Sequence, residues 1–184
     1  LPICMEFRFP WCSVVQVLIA GDISWSMHMS EGMADLDWIH ELPGRKILIK
    51  GNHDYWWSSI TKLNTLYVDM DFIQNNFFNY NDVAICGTRG WNCPGSTKFS
   101  IHDEKIYNRE LIRLRISLDA AVKGGYKKFI VMLHYPPSND KFEETELISI
   151  VKEYNVSKVI YGHLHGPSLS RLYEGNIEGV EYIV

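Results

Sequence analysis

No stretch of the chain approaches the roughly 20 continuous apolar residues that a membrane-spanning helix needs, so no membrane partner is expected. Residues 1–20 are fairly apolar but carry neither a basic leader nor a clear small-residue cleavage site. That argues against a signal peptide and makes the protein cytoplasmic by expectation. Lysine and arginine form no run and the formal net charge is −4, so nucleic acid is not indicated as a partner, while a local basic patch stays open. The four cysteines (Cys4, Cys12, Cys86 and Cys93) include no C-x-x-C pair, which disfavours a thiolate zinc knuckle and a thioredoxin-type motif. Internal repeats, low-complexity tracts and linkers are also absent, and residues 1–184 read as one domain.

What is present suits a soluble globular protein with a real core: 46% of residues are hydrophobic and 22% are charged. Short apolar runs at 14–20, 46–49, 83–86, 128–133 and 158–161 read as buried strands. Between them, Met33, Leu36 and Ile39 have helical spacing after a candidate cap at Ser30. A longer helix is expected over 104–122, closed by Gly124-Gly125, and another over 144–154. The arginines of the long helix, Arg109, Arg113 and Arg115, read as a solvated face or as a surface for an acidic partner. The segments 169–173 and 180–184 flank a Gly- and Asn-containing stretch and suggest a hairpin, so mixed sheets are expected.

Four of these strands end alike. An apolar run stops and small residues with metal-type ligands follow at once: Gly21-Asp22, Gly51-Asn52-His53-Asp54, His134, and Gly162-His163-Leu164-His165. In open α/β sheets functional groups gather at the carboxyl ends of strands, so the four clusters can converge. A carboxylate, an amide oxygen and imidazole nitrogens make a mixed oxygen and nitrogen donor set, which suits Mn, Fe or Zn better than Ca or Mg. A lone histidine is more often a satisfied ring than a ligand, and His28, His40 and His102 are read that way. Trp25, Trp56 and Trp57 are read first as packing residues and second as walls of a substrate groove. Cys93 lies in an expected loop, with nothing nearby to activate its thiol. Arg89, after the 83–86 strand, is a candidate contact for a phosphate or a surface ion pair.

These motifs, in this order, resemble those of the calcineurin-like metallophosphoesterase family, from residue 14 to about residue 182. The resemblance implies a four-layer α/β (α+β) sandwich, two mixed sheets face to face with flanking helices. It also implies a metal-dependent phosphoester hydrolase, a phosphomonoesterase or phosphodiesterase, with two divalent ions. Carried over, Asp22 bridges the two metals, and Asn52, His134 and His163 complete the second. His165 belongs to the first, His53 is the general acid, and Asp54 orients the His53 ring.

The family's opening Asp-x-His motif is missing. Residues 1–21 hold no aspartate and no histidine, and Glu6 is their only carboxylate. The expectation is therefore a mononuclear or metal-poor protein, with one ion at most where the family has two, and with impaired hydrolysis. The rival reading is a non-catalytic scaffold with a vestigial site, and a third is an incomplete version of a longer enzyme. Residues 1–13 read as an atypical segment in which the first strand is lost or replaced, leaving a sheet edge open to self-association.

Overall fold

The computed structural model describes residues 4–7, 16–170 and 172–184. Among the described residues, ten strands form two sheets. The first has the order β1 (Cys4–Phe7), β2 (Gln16–Ile19), β3 (Arg45–Ile49), β4 (Met70–Ile73). Strands β2, β3 and β4 run parallel and β1 pairs antiparallel with β2. The second sheet joins β5 (Phe78–Tyr80), β6 (Val83–Thr88), β7 (Lys128–Leu133), β8 (Lys158–Ile160), β10 (Val180–Ile183) and β9 (Gly175–Ile177), in that order. Its β6, β7, β8 and β10 are parallel, with antiparallel β5 and β9 at the margins.

Strand alternation explains the layering. Leu18, Ile47, Ile49, Ile85, Met132 and Ile160 point between the sheets and form one buried cluster. Their neighbours Val17, Ile19 and Leu48 point the other way, against Leu36 and Ile39 of helix α1 (Met29–Glu41). On the far side, Ala84, Val131, Leu133 and Val159 pack against Leu114 and Leu118 of α3 (Ile101–Lys123) and Leu147 and Val151 of α4 (Glu146–Glu153). Strands covered on both faces read as continuous apolar runs rather than alternating ones, as these do. The result is the expected four-layer sandwich. Short α2 (Ile60–Leu63) completes the helices.

Several local expectations shift. The N-cap of α1 is His28 rather than Ser30, and α3 starts earlier than residue 104, where Ser100 accepts the Asp103 amide at the N-terminus. The terminal hairpin uses 175–177 rather than 169–173, because residues 166–170 form a 3-10 turn. Residues 14 and 15 of the expected 14–20 strand lie outside the described residues, as does most of the 1–13 segment.

Candidate metal centre

The parallel strands of both sheets deliver their carboxyl ends to one rim. From β2 the chain runs through Ala20 to Gly21 and Asp22, and from β3 through Lys50 to Gly51-Asn52-His53-Asp54. From the second sheet, β7 ends at His134, and β8 leads through Tyr161 and Gly162 to His163. Two glycines make the approach possible. A Cβ on Gly51 would lie 2.1 Å from Asp22 Oδ1, and one on Gly21 would lie 2.6 Å from the Gly51 nitrogen. Asp22 (φ 55°) and His163 (φ 70°) both hold left-handed backbone conformations, strain of the kind that gathers at functional sites.

Asp54 ties the two loops of the first sheet together. It is fully buried, and its carboxylate accepts from the amides of Asp22 (2.9 Å), Ile23 (2.8 Å), Ser24 (3.1 Å) and Gly51 (2.7 Å), and from Trp56 Nε1 (3.1 Å). Burial pushes its pKa up, while the converging amides work the other way. The expectation that Asp54 orients the His53 ring is thereby corrected: both oxygens are occupied by backbone amides and an indole. The His53 ring instead stacks on Trp25, centroids 3.8 Å apart and 11° from parallel, with Tyr55 edge-on at 6.2 Å. Trp25 is 69% exposed, so this pair stands at the solvent boundary. Trp56 is buried as packing, and Trp57 donates to Gln74 Oε1 at 2.9 Å.

Ligand atoms of Asp22, His134 and His163 lie within 4.8 Å of one another. Asn52 joins them, with its Oδ1 2.8 Å from His134 Nε2 and 3.0 Å from His163 Nδ1. His163 Nδ1 and His134 Nε2 are 3.2 Å apart, and Asp22 Oδ2 is 3.5 Å from His134 Nε2. Atoms bound about 2.1 Å from one ion are separated by about 3.0–3.4 Å, so these spacings fit a shared cation.

Tautomer chemistry makes the same point. His134 Nδ1 lies 2.7 Å from the Ala20 carbonyl, which can only accept, so Nδ1 carries the proton. Burial pushes the His134 pKa below its ordinary value and keeps the ring neutral, leaving an Nε2 lone pair that faces Asn52 Oδ1. Burial and the neighbouring His134 lower His163 to about 4. A cation placed between Asn52 Oδ1, His134 Nε2 and His163 Nδ1 would be met by an electron pair from each of them. Asp22 is suited to provide the charge: Oδ1 accepts the His53 amide at 2.9 Å, and Oδ2 faces the imidazoles.

His165 is exposed and lies outside this group. Arg89 is likewise elsewhere. Its carbonyl accepts the amides of His134 (3.0 Å) and Tyr135 (2.9 Å), but its guanidinium lies over Trp91 at 4.5 Å and approaches the buried Glu110 at 3.5 Å. Sequence reasoning missed Tyr135, whose ring covers His163 at 4.1 Å and 32°. Together with Trp91, Asn139 and Tyr173 it lines a cavity of about 310 Å³ beside His163. Its only available signal was an aromatic residue directly after His134. Cys93, on the same cavity, is buried, and burial pushes its thiol up to about 12, so it is not a reactive nucleophile.

The profile of the calcineurin-like phosphoesterase family matches residues 10–167, and the chain belongs to that family. No significant match was found among curated proteins. The family is one of metal-dependent phosphoester hydrolases, and the Asp22, His134 and His163 group is where such an ion fits. Among the described residues, no helix is long and apolar enough to cross a membrane.

Proposed function

We propose that the chain is a phosphoester hydrolase working with a single divalent ion, held by Asp22, Asn52, His134 and His163. The observation that carries this reading is the convergence of Asn52 Oδ1, His134 Nε2 and His163 Nδ1 within 3.2 Å of one another, beside a carboxylate. A divalent ion of the Mn, Fe or Zn type, bound there, would polarise a phosphoryl oxygen and help water supply the nucleophile.

The remaining roles fall to the chain's own groups. Asp22 supplies the negative charge, and His134 stays neutral through its burial, with its Ala20 bond fixing the tautomer. His53, held by the Trp25 face at the solvent boundary, gives its ring proton to the departing alkoxide as the P–O bond breaks. Asp54 is a positioning residue that fixes the Asp22 and Gly51 backbones. His165 takes no part in the single site, and activity is lower than in a relative with a complete metal pair.

The test is hydrolysis of p-nitrophenyl phosphate and bis-p-nitrophenyl phosphate by the wild type and by His53→Gln. The variant should keep its metal content and lose about 10²–10⁴-fold in kcat, the range of a general acid. Unchanged kcat would remove His53 from the chemistry. Metal binding with no turnover of either ester in the wild type would favour the scaffold reading.

A further inference from the structure

A second polar cavity, of about 280 Å³, lies between the carboxyl ends of β3, β4 and β6 and the flank of α3. It shares no lining residue with the cavity beside His163. Its charged lining is Lys50, Arg89, Arg109, Arg113 and Glu110, four cations against one carboxylate, or a formal +3 in a chain whose net charge is −4. Such a concentration of one sign favours an anion in the pocket, even with Asp54 acting on Lys50 from outside the lining.

Glu110 is 1% exposed and is already shared. Oε2 accepts from Thr88 Oγ1 at 2.6 Å, while Oε1 is 2.9 Å from Arg113, 3.5 Å from Arg89 and 3.6 Å from Arg109. Of the three arginine contacts, only that of Arg113 is a hydrogen bond. Arg89 Nε is buried without a partner, and the half-buried Lys50 side chain makes no hydrogen bond or ion pair with the described residues. A buried cationic donor left unmatched, as Arg89 Nε is, is costly, and an oxyanion in the pocket would satisfy it and reach the neighbouring cations at once. Guanidinium forks suit the paired oxygens of a tetrahedral anion better than a point charge does.

We propose that this pocket is a binding site for a phosphate-class oxyanion, separate from the metal centre and built by Lys50, Arg89, Arg109 and Arg113 around Glu110. It is joined to the metal centre through the backbone: Lys50 directly precedes the Gly51-Asn52 loop, and Arg89 caps the His134 amide. The site stands whether or not the metal centre is catalytic.

The experiment is a calorimetric titration of inorganic phosphate into the full chain, its Asp22→Ala variant and the double variant R109Q/R113Q. Ionic strength is held fixed, metal content is measured in parallel, and circular dichroism checks folding. Phosphate should still bind Asp22→Ala, which has lost the metal centre. In R109Q/R113Q, with metal content unchanged, binding should weaken about tenfold or more, the effect of losing a charge-assisted hydrogen bond. A mononucleotide, titrated into Asp22→Ala, separates two supporting outcomes: tighter binding than phosphate assigns the pocket to a phosphoryl group on a larger molecule, and weaker binding to the free anion. Equal affinity in R109Q/R113Q and wild type, or loss of phosphate binding in Asp22→Ala, would each overturn the proposal.

Discussion

At the scale of the residue, Asp54 is the sharpest case of a side chain whose type was legible in the motif and whose role was not. Its place beside His53 in sequence suggested an acid helped by a carboxylate. Folding turns the two apart, because four backbone amides and an indole claim the carboxylate. Asp54→Asn keeps the shape but offers one acceptor oxygen and an NH2 group to donors that cannot accept. We expect a loss of about 3 kcal/mol in urea unfolding, since hydrogen bonds to charged groups are worth ~1.5–3 kcal/mol each and some will rearrange. Metal affinity should fall with it, because the Asp22 and Gly51 backbones lose their common anchor. An Asp54→Asn protein as stable as wild type would show that the clamp contributes nothing.

At the scale of the element, the strands were read from apolar runs because both faces of β2, β3, β6, β7 and β8 are covered. Strand β4 escaped notice: Met70–Ile73 carries Asp71 and follows a polar, turn-rich stretch, and β5 is only three residues long. The ligand positions were legible since each follows an apolar run directly. His165 was placed with them by its motif alone, and two residues beyond His163 it is exposed. The glycines at the strand ends carry a prediction of their own. Gly51→Ala would drive a Cβ into Asp22, at 2.1 Å from Oδ1 and 2.2 Å from its nitrogen. Overpacking of this sort costs about 1–3 kcal/mol. A lower melting temperature and loss of metal binding are expected, whereas Gly125→Ala, with open space at its Cβ and no contact with the site, should leave metal content intact.

At the scale of the whole molecule, the two sheets meet through one apolar layer, and the rim above that layer gathers neutral imidazoles. The cost of that arrangement is pH-dependent. His163 is lowered to about 4 by burial, so between its unfolded value near 6.5 and about 4 the unfolded chain binds more protons than the folded one. The metal-free protein should therefore be fully stabilised by this group above about pH 6.5 and should lose that contribution as pH falls toward 4. Saturating metal should deepen the loss, since protons then compete with the ion for the same nitrogens. Melting temperatures from pH 8 to pH 4, with and without added Mn or Zn, check both statements; a flat metal-free profile across that window would contradict the buried, neutral His163.

The central claim is one metal position, made by Asp22, Asn52, His134 and His163. Elemental analysis of protein purified without chelator, alongside Asp22→Ala and His165→Ala, tests it directly. The account predicts one divalent ion per chain in the wild type, one in His165→Ala, and none in Asp22→Ala. Two ions in the wild type with one lost in His165→Ala, or no ion in any of the three, would contradict it.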